Sequence, residues 1–291
     1  MELFEVGGCV RDELLGIKSK DIDFSVVLSP EDFGVASLQV VTRDPFEFMV
    51  TSLSDQGVKI FRDKENVPIG AEFFTARGQA PKDFPVHPGR ALDFVLARKE
   101  SGYSDGRRPD KVEIGTLMDD LQRRDFTMNA IAKDSEGNLI DPFNGAQDIN
   151  ERVIRAVGNA FDRLNEDALR ALRALRFSVT KGFRIDREVQ FAMESAAVLN
   201  KIENVISDER IKDELSTMFK FDTLGSLSAL QSFPALTRAV FSGRVSLDST
   251  LKQRGRGEAT SKSNLPVAHH GCACACHQFP GIKHMAACCR A

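Results

Sequence analysis

The sequence predicts an α+β fold: a mixed sheet with helices over residues 1–140, then an all-helical unit over 141–245. Two patterns carry this. Strand-type alternation recurs up to about residue 145 and is not convincing beyond it. After that point, helical spacing of apolar residues covers 147–157, 161–181, 186–200 and 205–221. Composition agrees: 291 residues, 42% hydrophobic and 28% charged, fit a globular chain of about two domains. No run approaches the roughly 18 apolar residues of a membrane helix, so no membrane partner is expected. The start, MELFEVGGCVRDELLG, has no basic stretch ahead of an apolar one, so no secretory signal is expected.

Residues 3–6 read as a short strand broken by Gly7-Gly8, and 9–15 as a helix ended by Gly16. DIDFSVVL (21–28) alternates and then turns apolar, as a half-buried strand does. Mixed strands and Pro/Gly-rich turns are expected over 44–90, a strand at 91–98 with Asp93 inside it, and a polar loop at 101–110. LMDDLQRRDFTMNAIAK (117–133) reads as helical, and 135–141 as a turn and strand. Residues 246–291 read as a polar linker and a disordered tail.

The net charge is −3, so any nucleic-acid contact must come from local patches. Trp is absent, Tyr103 is the one tyrosine and Phe occurs 21 times, which favours core packing over base stacking. Cys9 is the one cysteine outside the last twenty residues, so the body of the chain reads as cytoplasmic, without a disulfide framework. The tail (Cys272, Cys274, Cys276, Cys288, Cys289 with His269, His270, His277 and His284) holds zinc-type ligands. Its C-x-C-x-C-H spacing is not that of a standard finger, and incidental or altered-frame sequence is the favoured reading.

Asp21 and Asp23 fall on one strand face, with Ile22 and Phe24 on the buried one. Two hard-oxygen ligands at this spacing can hold Mg²⁺ for in-line phosphoryl displacement, and Asp93 can supply a third carboxylate. Alternating acids on an exposed strand are the bland alternative. Gly7-Gly8 between strand and helix lets backbone amides approach a phosphate, and its order with Arg11-Asp12 and the acid pair sharpens the reading.

These stretches resemble the class II tRNA nucleotidyltransferase and poly(A) polymerase family. GGCVRDELLGIKSKDIDF (7–24) is similar to its catalytic motif and RRDFTMNAIA (123–132) to its ribose motif. GNLIDPFNGAQDINERVIRAVG (137–158) is similar to the head–neck junction, and RLNEDALRALRALRF (163–177) to the base-selecting motif. ESGYSDGRRPDKVE (100–113) matches the preceding loop, and the matches together cover about residues 3–190.

The resemblance implies a β-polymerase-like nucleotidyltransferase head followed by a helical neck and body. It implies template-independent addition of CCA to tRNA from CTP and ATP, with Mg²⁺ on Asp21 and Asp23 and pyrophosphate released. A poly(A) polymerase, a CC- or A-adding enzyme, and a non-catalytic RNA-binding relative are the alternatives. Arg123 and Arg124 can neutralise triphosphate charge and Asp125 can accept from ribose hydroxyls, although a weak surface ion-pair cluster is the plain alternative. Asn129 either holds the helix or contacts the nucleotide. Asp167 and Arg170, at i and i+3, share a helix face. The resemblance implies that they read the base edge; an intrahelical salt bridge is the plain alternative. Arg173 and Arg176 continue the stripe, and seven basic against five acidic side chains over 162–188 make any RNA-facing patch modest.

Departures are local. Leu96-Ala97 replaces a threonine-rich stretch beside Asp93, while Arg98 is kept. Residues 44–90 match the family poorly and are read as an insertion or a divergent hairpin region. The recognisable helical sequence fades near 221, which implies weaker RNA binding, a smaller RNA or a dimer. The sequence leaves oligomeric state open.

Overall fold

A computed structural model describes residues 1–35, 44–101, 111–243 and 247. Of the loop expected at 101–110, Ser101 ends a strand instead, and 102–110, with Tyr103, lie outside the described residues, as does the Cys/His tail. β1 (Glu2–Val6) leads into α1 (Gly8–Leu14) and β2 (Asp23–Val27). Then come α2 (Pro45–Asp55), β3 (Lys59–Ile60), β4 (Thr75–Gln79), β5 (Ala91–Leu96), β6 (Arg98–Ser101) and β7 (Lys111–Ile114). α3 (Leu117–Gln122) precedes β8 (Ala132–Lys133) and β9 (Leu139–Ile140). One seven-stranded sheet has the order β3-β4-β5-β2-β1-β8-β9. Only β2 and β5 run parallel in it, so the sheet is mixed as expected.

β5 shows why this register is fixed. Leu92, Phe94 and Leu96 are buried, while Ala91, Asp93 and Val95 alternate as half-buried positions. A one-residue slip would send the three large side chains to the wrong face. Phe94 stacks on Phe24 of β2, ring centroids 5.6 Å apart. This pairing sets Asp93 directly beside Asp23, and Arg77 of β4 directly beside Asp93.

The second part is helical. α4 (Gly145–Glu151) is followed by β10 (Val153–Ile154), α5 (Ala160–Glu166) and α6 (Leu169–Lys181). β11 (Arg184–Ile185), α7 (Arg187–Met193), α8 (Ala196–Asn204), α9 (Asp208–Phe221), α10 (Thr223–Ser232) and α11 (Pro234–Val240) complete it. α6 is the central helix and packs against α9 and α10. Its Leu172, Ala174 and Leu175 are buried, and one cluster of buried apolar side chains continues from Phe24 and Phe94 through them to Ile211 and Leu236. No described helix is long and apolar enough to cross a membrane.

Several elements differ from expectation. The helix expected over 117–133 stops at Gln122, because Asp125 accepts from Phe126 N (2.8 Å) and Asn129 Nδ2 (2.9 Å) and forms a local turn instead. The segment 147–157 is a helix over 145–151, a left-handed Arg152, then the short β10, whose β-branched Val153 and Ile154 suit a strand. The segment 161–181 breaks at Asp167, whose backbone is extended; 186–200 is α7 and α8, and 205–221 begins at Asp208. Within 44–90 the structure has α2 as well as strands, and α10 and α11 lie past the expected end at 221.

Gly145 opens α4 against the turn that follows α3. A Cβ there would stand 2.1 Å from Thr127 O, a backbone atom that cannot move aside cheaply. Gly145→Ala is expected to destabilise the fold by about 1–3 kcal/mol, read by urea denaturation.

Candidate active site

α6 builds one wall of the cleft. Arg170, Arg173 and Arg176 recur every three residues, so they form one stripe along the helix. Phe177 lies under this stripe, with the guanidinium carbons of Arg176, Arg11 and Arg173 at 4.2, 5.1 and 5.6 Å from its ring centroid. The cavity these side chains border measures about 640 Å³.

The opposite wall comes from the head. Gly7, Gly8 and Arg11 line the cavity at the start of α1, and Asp21 and Asp23 line it at the start of β2. Gly7 has φ +78°, and a Cβ on it would stand 2.6 Å from Arg124 Nη1. Glycine is therefore needed both for the turn and for the close approach of that arginine. Arg123, Arg124, Asp125 and Asn129 enter from the segment after α3. Asp167 completes the α6 contribution. Of the residues expected to act in catalysis or nucleotide binding, all but Asp93 line the cavity; Asp93 stands beside Asp23 across the β2–β5 pairing.

The arginines are held by buried carboxylates, not by surface pairs. Asp120 is fully buried and binds Arg123 and also Arg124 (Nη2–Oδ2 2.8 Å). Burial penalises its charge, but Arg124 and Arg123 outweigh this and hold the carboxyl at about 2. A depressed carboxyl contributes stability that is complete above its unfolded value near 3.8 and is lost as pH falls through about 2. Asp120→Asn is expected to cost about 3–5 kcal/mol at pH 7 by urea denaturation, because two guanidinium groups lose the charge of a buried carboxylate. The deficit should shrink between pH 4 and pH 2.

Asp125 is a second anchor. Its Oδ1 accepts from Phe126 N and Asn129 Nδ2, and its Oδ2 from Arg173 Nε (2.8 Å) and Nη2 (2.7 Å). Burial opposes its ionisation, yet Arg173 and the Asn129 bond hold it well below the usual carboxylate range. Both oxygens expected to meet ribose hydroxyls are thus engaged by protein donors. Asn129 Oδ1 also accepts from Arg11 Nη1 (2.6 Å), so it links α1 to the ribose-motif turn. Arg11 is buried and further bound to Asp12, which also accepts from Lys181 at the end of α6 (2.9 Å).

Asp167 and Arg170 are not paired with each other. Asp167 stands just before α6, accepts from Leu169 N (3.1 Å) and binds Arg210 of α9 (2.8 Å). Arg170 binds Glu166 (2.7 Å) and donates to the carbonyls of Arg163 and Arg123 (2.7 and 3.0 Å). The intrahelical pair that competes with base reading is therefore not formed, since the break at Asp167 takes its carboxylate off the helix surface. Sequence reasoning missed Arg210, and Glu214, which binds Arg176 (2.5 Å). Their i, i+4 spacing on α9 was the available signal.

Asp23 and Asp93 carry the opposite kind of shift. Burial raises the Asp23 carboxyl first, and the charge of Asp93 raises it further. Burial likewise raises Asp93, with Arg77 partly offsetting it. Asp23 and Asp93 thus stand side by side with the charge of Asp21 acting on both, an arrangement that favours a bound cation. Among the described residues no three acidic, Cys or His side chains form a full metal cage.

Head, mixed sheet and following helices define the nucleotidyltransferase-head class. A model of the poly A polymerase head domain matches residues 3–155, and the chain belongs to that family. The CCA-adding enzyme of Lactococcus lactis subsp. lactis (strain IL1403) is 38% identical over 203 residues, 69% of this chain and 44% of the relative. That of Geobacillus sp. (strain WCH70) is 38% identical over 203 residues, 69% of this chain and 42% of the relative. The chain spans about half the length of the curated relatives it matches. Among solved structures, the Bacillus stearothermophilus CCA-adding enzyme in complex with CTP is 29% identical with a TM-score of 0.60, over 86% of this chain and 51% of that one. A tRNA nucleotidyltransferase complexed with a primer tRNA and an incoming ATP analog is 27% identical with a TM-score of 0.62, over 87% and 63%.

Proposed function

We propose that this protein is a template-independent RNA nucleotidyltransferase that adds CCA to tRNA 3′ ends from CTP and ATP. The observation that carries this is the meeting, in one cleft, of the Asp21–Asp23 pair with the Asp167–Arg170 pair and the arginines between them. A carboxylate pair alone serves many phosphoryl reactions; a base-edge donor and acceptor beside it serve nucleotide choice.

In this reading the triphosphate lies along Arg123, Arg124 and the α6 stripe, close to the Gly7-Gly8 turn. Asp21 and Asp23 would hold Mg²⁺, which supplies charge neutralisation at the phosphates and orients the attacking oxygen. The RNA 3′-hydroxyl attacks the α-phosphorus, the bond to the β-phosphate oxygen breaks, and pyrophosphate leaves. Asp93, beside Asp23 and raised by burial, accepts the hydroxyl proton. Asp167 accepts from, and Arg170 donates to, the base edge, in exchange for their present bonds to Arg210 and Glu166. Most of the acceleration comes from positioning and charge neutralisation.

The test is extension of a tRNA that ends before CCA, with CTP alone, ATP alone and both, followed by sequencing of the 3′ ends. CC with CTP and a single terminating CCA with both are expected. Long A tails, a lone C or A, or no extension overturn the reading.

A further inference from the structure

We propose that Arg77 is a built-in counter-ion of the carboxylate row, weakening its hold on a divalent cation until a nucleoside triphosphate brings phosphate oxygens as further ligands. The inference rests on the reading of Asp21 and Asp23 as metal-holding residues. Sheet register forces the placement. Arg77 lies directly opposite Asp93, and Asp93 directly opposite Asp23, so three strands carry a cation and two acids in one line. Asp21 closes the group from the start of β2.

Arg77 differs from the cleft arginines in how it is held. Arg124, Arg173 and Arg176 each have a carboxylate oxygen at 2.8, 2.7 and 2.5 Å. Arg77 Nε is 3.6 Å from Asp93, and its Nη2 is 4.0 Å from Asp21. Both separations exceed hydrogen-bond length, so charge retains the side chain and no fixed fork does. The Arg77 side chain is 45% exposed and the Asp21 side chain 79% exposed. It also lies outside the lining of the nucleotide cavity. Its exposure lets it swing into solvent once a cation takes its place beside the half-buried Asp93.

A second cation entering this row must compete with that guanidinium. Its attraction to Asp21 and Asp93 is partly offset already, and it is repelled by Arg77 itself. The phosphates of a bound triphosphate add negative charge and ligand oxygens and tip the balance. Arg77 thus makes metal loading depend on nucleotide arrival.

The probe is Mn²⁺ titrated into the full chain without nucleotide, with free Mn²⁺ read by electron paramagnetic resonance. Arg77→Gln is expected to tighten the Mn²⁺ Kd about three- to tenfold at low salt, and the gain should shrink as salt is raised. Arg77→Lys keeps the charge and should bind as the wild type does, which separates charge from any change of fold. Equal Kd values for Arg77→Gln and wild type, or a gain that persists in an Asp23→Asn background, overturn the proposal. Identical Mn²⁺ binding by wild type and Asp23→Asn overturns the metal role of the carboxylates instead, and the proposal with it.

Discussion

Asp23→Asn is expected to reduce nucleotide addition by at least about a thousandfold while making the metal-free protein more resistant to heat. The two effects have one cause. Asp23 is pushed up by burial and by the neighbouring charge of Asp93, so its ionisation at neutral pH costs folding energy. For a carboxyl raised in the folded state, the stabilising contribution is full below its unfolded value. It is lost as pH rises through the folded value. Asparagine keeps the shape and removes that cost. In chelator, the variant should therefore melt above wild type at pH 7, and the gap should close as pH falls toward 4. In the proposed reaction, the variant lacks the hard-oxygen charge that would face the reacting phosphates. Incorporation of labelled CTP into tRNA, alongside thermal melts, checks both halves. Substantial incorporation by Asp23→Asn would remove Asp23 from the reaction. A lower melting temperature would mean that the carboxylate has a stabilising partner which the geometry does not show.

The sequence was most informative where local geometry and chemistry coincide. Gly7 needs a left-handed backbone and a close approach, so its turn showed in the residue type itself. The alternation around Asp21 and Asp23 held, although β2 proper begins at Asp23. α2 carried a readable start, with Asp44 accepting from Phe46 N and Glu47 N and Pro45 in the first turn, yet the strands expected over 44–90 masked it. What could not be read was the set of partners. A surface ion-pair cluster stayed open as the alternative for Arg123 and Arg124 because Asp120, three and four residues before them, gives no sign in sequence of being fully buried. Arg173 meets Asp125 from 48 residues away, and Arg210 meets Asp167 from 43. Such pairs are set by how α6 packs against the segment after α3 and against α9, a tertiary fact with no local signature.

Those long-range pairs define the second expectation. Asp167→Ala is expected to blur the choice between CTP and ATP by about 1–3 kcal/mol, the discrimination of a well-made base-edge contact. Stability should change little. Asp167 is an acceptor just outside α6, and its loss leaves Arg210, itself partly exposed, able to turn to solvent. Arg170→Ala should behave differently, because that guanidinium binds Glu166 and two carbonyls as well as facing the cleft. Its removal should lower both selectivity and melting temperature. The contrast separates base reading from architecture. Incorporation ratios from CTP and ATP on a tRNA ending in CC, measured beside thermal melts, give both quantities. A selective Asp167→Ala enzyme would show that Asp167 serves only to tie α6 to α9. A poorly selective but fully folded one would place the choice of nucleotide on an oxygen that is bound to Arg210 in this structure.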